Sequence, residues 1–189
     1  MKSLFKVLTV LLLVLGCGCV WLKHHNQTAI SSEANSFVQN GKVLDADRLK
    51  AGGKLLLVPF KAGEDVMATA ELDRLALMIV KGISEKLQGS GAPFEILFAQ
   101  NAEKAELILE GHFTKIRNSS RIRKWMLMDK GKSLAVSGKM VDRKTGKTIL
   151  VFTDSKQNQE KKKTFSDLGR DIGYDIGDYI LELVHQSAD

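Results

Sequence analysis

Six consecutive residues, Leu55-Leu56-Leu57-Val58-Pro59-Phe60, are apolar without a break. Such a run marks a strand covered on both faces, and Pro59 belongs at its end or on an edge because it cannot donate to a ladder. Next come Leu72, Leu75, Ala76, Ile79, Val80, Ile83 and Leu87 at spacings of three and four. That wide apolar stripe predicts an amphipathic helix over 68–88, and Gly89 fits the position just past its end. Pro93 to Phe98 reads as a second strand. Strand, helix and strand in succession predict a parallel pair with a right-handed crossover.

The rest of the chain adds to this unit. Asn101 to Lys104 reads as one helical turn or a loop, and Ala105 to Ile116 as a longer strand in which Gly111 marks a bulge or a close approach. Ser133–Val141 and Thr148–Thr153 form a hairpin about residues 142–147, where Gly146 suits a turn with a bulge. A last helix is predicted from Phe165 to Val184, with Phe165, Leu168, Ile172, Ile176, Tyr179, Ile180, Leu183 and Val184 on its apolar side. The fold class is therefore α+β (α/β-like). Residues 54–189 should form a single mixed sheet of about five strands with two main helices, in the order β-α-β-β-β-β-α.

The N-terminus sets location. Lys2 and Lys6 form a short basic head, Val7 to Leu15 an apolar run broken only by Thr9, and Val14-Leu15-Gly16-Cys17 closes it. That order is an export signal, and its end resembles the lipobox of bacterial lipoproteins, in which the cysteine carries the lipid. Cys17 fits better than Cys19, because Val14 supplies the aliphatic residue three positions earlier where Cys19 has Gly16. Residues 1–16 are thus expected to be a signal peptide. Residues 17–53 would be a lipidated N-terminus and tether, within which 37–50 could pack as a flap or short helix. Two plainer readings compete, a permanent helical anchor over Leu4–Leu22 and an ordinary cleaved signal. Gly18 after Cys17 favours the periplasmic face of the outer membrane, since the usual inner-membrane retention residue is Asp; inner-membrane anchoring is the alternative.

Both cysteines lie in this N-terminal segment, which leaves the domain no disulfide, cysteine nucleophile or thiolate metal site. Charge is unevenly placed. Lys115 to Lys147 holds eleven Lys or Arg and two acids, whereas Thr164 to Asp189 holds one Arg and six acids. A basic face could meet phospholipid headgroups, lipopolysaccharide or an acidic protein; otherwise it is a solvated hairpin. Nucleic acid is a poor partner for an exported chain without a binding motif. Arg117, Arg121, Arg123 and Lys124 run into Trp125, Met126, Leu127 and Met128, either a partner contact anchored by Trp125 or a loop folded over a sheet edge. Gly169, Gly173 and Gly177 recur every fourth residue in the last helix. Each costs roughly 1 kcal/mol against Ala, so they should permit a close approach, against the domain's own sheet or against a partner helix.

Catalytic constellations are missing from the sequence. His24, His25, His112 and His185 are scattered, with no HExxH pair, and His112 in a strand reads as a hydrogen-bonded structural residue. Gly89-Ser90-Gly91 follows a helix and is not a nucleophile elbow. Gly131-Lys132-Ser133 and Gly146-Lys147-Thr148 lack the earlier glycine of a P-loop, since Met126 and Val141 occupy that position. No catalytic, cofactor-binding or metal residues are assigned.

Gly111-His-Phe-Thr-Lys-Ile, Ser120-Arg121 with Arg123, Gly131-Lys-Ser and Val141-Asp142-x-x-Thr145-Gly146-Lys147 occur in that order. Over residues 54–184 this resembles a family of bacterial lipoproteins known mainly as a domain of unknown function, although Trp125 to Met128 replace an expected glycine-rich segment. More distantly the layout is similar to the small α/β domains of accessory envelope lipoproteins, such as activators of penicillin-binding proteins, the curli secretion lipoprotein and flagellar-associated lipoproteins. The resemblance implies a non-catalytic accessory or assembly module that binds an envelope protein or its own copies. The alternatives are a carrier of a lipid or other small envelope ligand, and a hydrolase with an unrecognised site.

Overall fold

A computed structural model describes residues 38–117, 132–158 and 164–186. The elements are β1 (Asn40–Val43), α1 (Ala46–Ala51), β2 (Gly53–Leu57), β3 (Lys61–Ala62), α2 (Ala70–Gln88), β4 (Phe94–Leu97), a 3-10 turn (Ala99–Lys104), β5 (Leu107–Arg117), β6 (Lys132–Asp142), β7 (Thr148–Asn158) and α3 (Phe165–Gln186). They build one mixed sheet in the order β1-β7-β6-β5-β2-β4, with β3 also paired to β5. β2 lies parallel to both β4 and β5, while β5, β6 and β7 form an antiparallel meander. The strand–helix–strand start is therefore present as expected.

Two differences from the sequence reading concern number and boundary. The sheet has seven strands rather than about five, and its folded part begins before residue 54. β1 pairs antiparallel with β7 through Asn40↔Thr153 to Val43↔Leu150. Behind it, α1 is capped by the Asp45 side chain, which accepts from the Arg48 N–H at 3.0 Å. Four strand residues and six helix residues are too short to display a period; the flap or short helix allowed for 37–50 is this strand and helix. The segment read as one helical turn or a loop at 101–104 is the 3-10 turn Ala99–Lys104.

Local chemistry explains the two long helices. Thr69 caps α2 by accepting from Leu72 N–H at 3.2 Å, and Glu71 and Asp73 sit in the first turn where the helix dipole favours acids. At α3, Asp167 Oδ2 accepts from the Thr164 N–H at 2.7 Å while Thr164 Oγ1 accepts from the Asp167 N–H at 3.2 Å. This reciprocal pair is a capping box with Asp in place of Glu. Both helices lie on one face of the sheet and share its core. Ile79, Ile83, Ile172, Ile176 and Ile180 are buried against Leu55, Leu107, Leu109, Leu134 and Phe152.

The glycine stripe of α3 faces α2. A Cβ on Gly82 would lie 2.5 Å from the Arg170 carbonyl, and one on Gly173 would run into the Ile79 carbonyl. One on Gly169 would lie 3.2 Å from the Leu75 carbonyl, and one on Gly177 would lie 2.6 Å from Lys86 Cβ. Gly169, Gly173 and Gly177 are all buried, so this face is already filled, by the neighbouring helix rather than by the sheet. It is not open to a partner. In the strands, Gly111 and Gly138 stand directly opposite each other. A side chain on either would collide with the Phe60 or Phe152 ring. The sequence signal at Gly111 is thus a close approach; the β-bulge of β5 falls at Phe113/Lys115 instead.

Gly173→Ala should destabilise the domain by about 1–3 kcal/mol through overpacking, lowering Tm by several degrees. Gly169→Ala, with more room and better helix propensity, should leave Tm within a degree or two. Thermal unfolding of the two variants side by side checks this, and equal losses would mean that the α2–α3 contact is not limited at Gly173.

Candidate binding surface

With both helices on one face, the other face of the sheet is left mostly uncovered by the described residues. Alternation with the buried residues assigns its side chains: Lys54, Leu56 and Val58 from β2 and its end, Ile108, Glu110 and His112 from β5, Ser137, Lys139 and Val141 from β6, Val151 and Thr153 from β7, and Asn40 and Lys42 from β1. Only Leu56, Leu97 and Ala105, beside the 3-10 turn, form a small second core there. Over the paired glycines the face is dented into an open depression of about 550 Å³, lined among others by Val58, Lys61, His112, Ser137, Lys139 and Val151. Lys139 Nζ lies 3.3 Å from Glu110 Oε1 across the strand pair. His112 is exposed here, not tucked into the structural position expected for a strand histidine.

The remaining sequence candidates divide into two groups. Arg117 ends β5, half-buried and paired with Ser133. Cys17, Arg121, Arg123, Lys124, Trp125 and Met126 lie outside the described residues. The Val141-Asp142-x-x-Thr145-Gly146-Lys147 pattern proves to be turn chemistry. Asp142 Oδ1 accepts from the Thr145 N–H at 2.8 Å and from its hydroxyl at 2.9 Å, and Gly146 takes φ +70°. Asp142 Oδ2 receives Arg48 Nε at 2.6 Å, and Arg48 Nη1 donates to the Gly52 carbonyl at 2.7 Å. Arg48 and Thr145 together hold the Asp142 carboxyl at about 2, well below the usual range. A second cluster pins the helices together. Glu85 accepts from Arg170 Nη2 at 2.8 Å and from the Tyr174 hydroxyl at 2.6 Å, and these bonds lower its pKa.

Sequence reasoning missed two carboxylates inside the core, Asp154 and Asp175. Asp154, on the helix-facing side of β7, is 2% exposed. Its Oδ1 accepts from the Ser155 N–H at 2.7 Å, while Oδ2 has no hydrogen-bond partner among the described residues. Burial, reinforced by the charge of Asp175 on α3, pushes its pKa up to about 6. Lys156 Nζ reaches Asp175 Oδ2 at 2.5 Å. The alternation Phe152-x-Asp154-x-Lys156 was the available signal, since it continues an inward-facing row.

No family model matches the sequence, and no curated protein matches it. Solved structures do share its fold. A single-substitution variant of PelC from Paraburkholderia phytofirmans, described as a dodecamer, is 13% identical with a TM-score of 0.50, over 71% of this chain and 87% of that one. Lipoprotein GNA1162 from Neisseria meningitidis is 15% identical with a TM-score of 0.42, over 72% and 98% of the two chains. Protein XCC0632 from Xanthomonas campestris, of the family DUF330, is 10% identical with a TM-score of 0.41, over 73% and 85%.

Asp154 holds its proton more tightly when folded, so the folded state loses stability as pH rises from the ordinary aspartate range through about 6. Asp154→Asn should therefore be more stable than wild type at pH 7.5, by about 1–3 kcal/mol, and equal to it at pH 4. Thermal unfolding at the two pH values reads this directly; a shift of the same size at both would mean that ionisation is not the cause. Asp142 has the opposite sign, its pKa being depressed. The destabilisation caused by Asp142→Asn should be full at neutral pH and shrink as pH falls from 4 toward 2.

Proposed function

We propose that this chain is an exported lipoprotein, acylated at Cys17, whose domain serves the cell envelope as a non-catalytic accessory or assembly module. The observation that carries this reading is the order of basic head, apolar run and Val14-Leu15-Gly16-Cys17 ahead of a sheet domain. The reading gains support from the fold: a PelC variant of like fold, at 13% identity, is dodecameric, which favours self-association as the mode of assembly. The outer membrane is the expected site, on the strength of Gly18.

The two side-chain clusters in which a carboxylate meets an arginine and a hydroxyl both have structural roles, which favours a non-catalytic reading of them. Arg48 and Asp142 fasten α1 to the β6–β7 turn, and Glu85, Arg170 and Tyr174 join α2 to α3. A carrier role draws on the open depression, which is a surface dent rather than an enclosed chamber.

Cells fed a labelled fatty acid should label the wild-type chain and not Cys17→Ser, and the wild type should sediment with outer-membrane fragments. Chemical cross-linking of those fragments should give a ladder of multiples of the single chain. An unlabelled wild type that stays in the membrane would replace the lipid with a Leu4–Leu22 helical anchor.

A further inference from the structure

We propose that the uncovered face of the sheet docks flat on the anionic phospholipid headgroups of the bilayer that anchors the chain. The bilayer comes from the lipoprotein reading above; the surface itself comes from the fold. In one row across the strands, Lys42, Val151, Lys139 and Glu110 stand in register. In the next stand Asn40, Thr153, Ser137, His112 and Lys61. Lys115 lies toward one end of the face, opposite Ala135, and Lys54 toward the other, beside Glu95. Among the strand residues of the face, five lysines stand against two carboxylates, one of which, Glu110, is already engaged by Lys139; Glu64 and Asp65 lie past the end of β3 beside His112. Lys42, Lys61, Lys115 and Lys139 are exposed.

Shape and charge agree. Most residues between the lysines are short (Asn40, Ala135, Ser137, Val151, Thr153), and His112 is the bulkiest side chain in the two rows. The helix layer on the opposite side has the reverse sign. Among the side chains of α2 and α3 that are not buried, seven carboxylates outnumber four Lys and Arg. A domain with one positive and one negative side is oriented by an anionic surface before it touches. Each lysine held near such a surface strengthens partitioning about fivefold.

The point where the chain enters the domain fits as well. Val38 leads into β1, whose Asn40 and Lys42 are themselves on the lysine face. Twenty residues separate Cys17 from Val38. A chain of that length spans at most about 70 Å, so a lipid on Cys17 would keep the domain within reach of the headgroups, tethered at the edge that carries Asn40 and Lys42.

The test uses the full chain with Cys17→Ser, which removes the acyl group but leaves the N-terminus common to every variant. Its sedimentation with phosphatidylethanolamine/phosphatidylglycerol vesicles is compared with that on phosphatidylcholine vesicles. The excess on anionic vesicles should fall at least about tenfold on adding Lys42→Glu and Lys61→Glu. It should stay within about threefold on adding Arg74→Glu and Lys81→Glu, the same charge change on the helix side, and vanish near ~1 M salt. Lys42→Gln with Lys61→Gln should give an intermediate loss and serves if the Glu pair does not fold. Equal losses from both faces, or equal binding to both vesicles, would overturn the proposal. So would a change of oligomeric size in the Lys42/Lys61 variant without loss of vesicle binding, which would make this face a contact between copies. Absence of fatty-acid label on the wild type would refute the lipid anchor alone and leave this vesicle result standing.

Discussion

Two helices can lie side by side on this sheet because Gly82 and Gly173 take the side chains out of the space between them. Their backbones come close enough for both apolar stripes to reach the same face of the strands. Wider spacing would push one helix off the sheet, exposing either its own stripe or the inner residues of β6 and β7. The arrangement also decides what the other face is. With both helices committed to one side, among the described residues only the 3-10 turn covers the reverse, and it reaches no further than Leu56, Leu97 and Ala105. A meander with one face packed and one solvated is the usual economy of antiparallel sheets.

Much of this was legible in the sequence, and the illegible parts have definite causes. The stripes of α2 and α3 are long enough for their period to show, and the apolar runs at 55–60 and 93–98 are bounded by Gly and Pro. By contrast, β1 and α1 are too short to have a period, and their stability comes from partners far along the chain: Gly41 gives way to Tyr179, and Arg48 meets Asp142. The glycine stripe was visible as a demand for close approach. Which surface approaches is tertiary information that spacing alone does not hold. Likewise Asp142, Thr145 and Gly146 carried part of a family resemblance in the sequence, and in the structure they build the turn between β6 and β7.

The binding surface was the least legible part. Its lysines come from β1, β2, β3, β5 and β6, so they gather only when the strand order β1-β7-β6-β5-β2-β4 is known. A count along the chain found the basic region at Lys115–Lys147 and could not see Lys42, Lys54 or Lys61 as part of it. Asp154 escaped for a related reason: a charged residue continuing an inward row looks, in sequence, like the end of the row.

The position of β1 also fixes an order in time. Among the described residues its only strand partner is β7, which begins about a hundred residues later, and α3 is later still. As the chain emerges from its N-terminal end, the first strand has nothing to pair with until the final hairpin is present. Contacts so distant in sequence close slowly. The edge of the sheet that carries β1 is therefore the part of the domain that closes last, after β2, β4 and β5 have every strand partner they need.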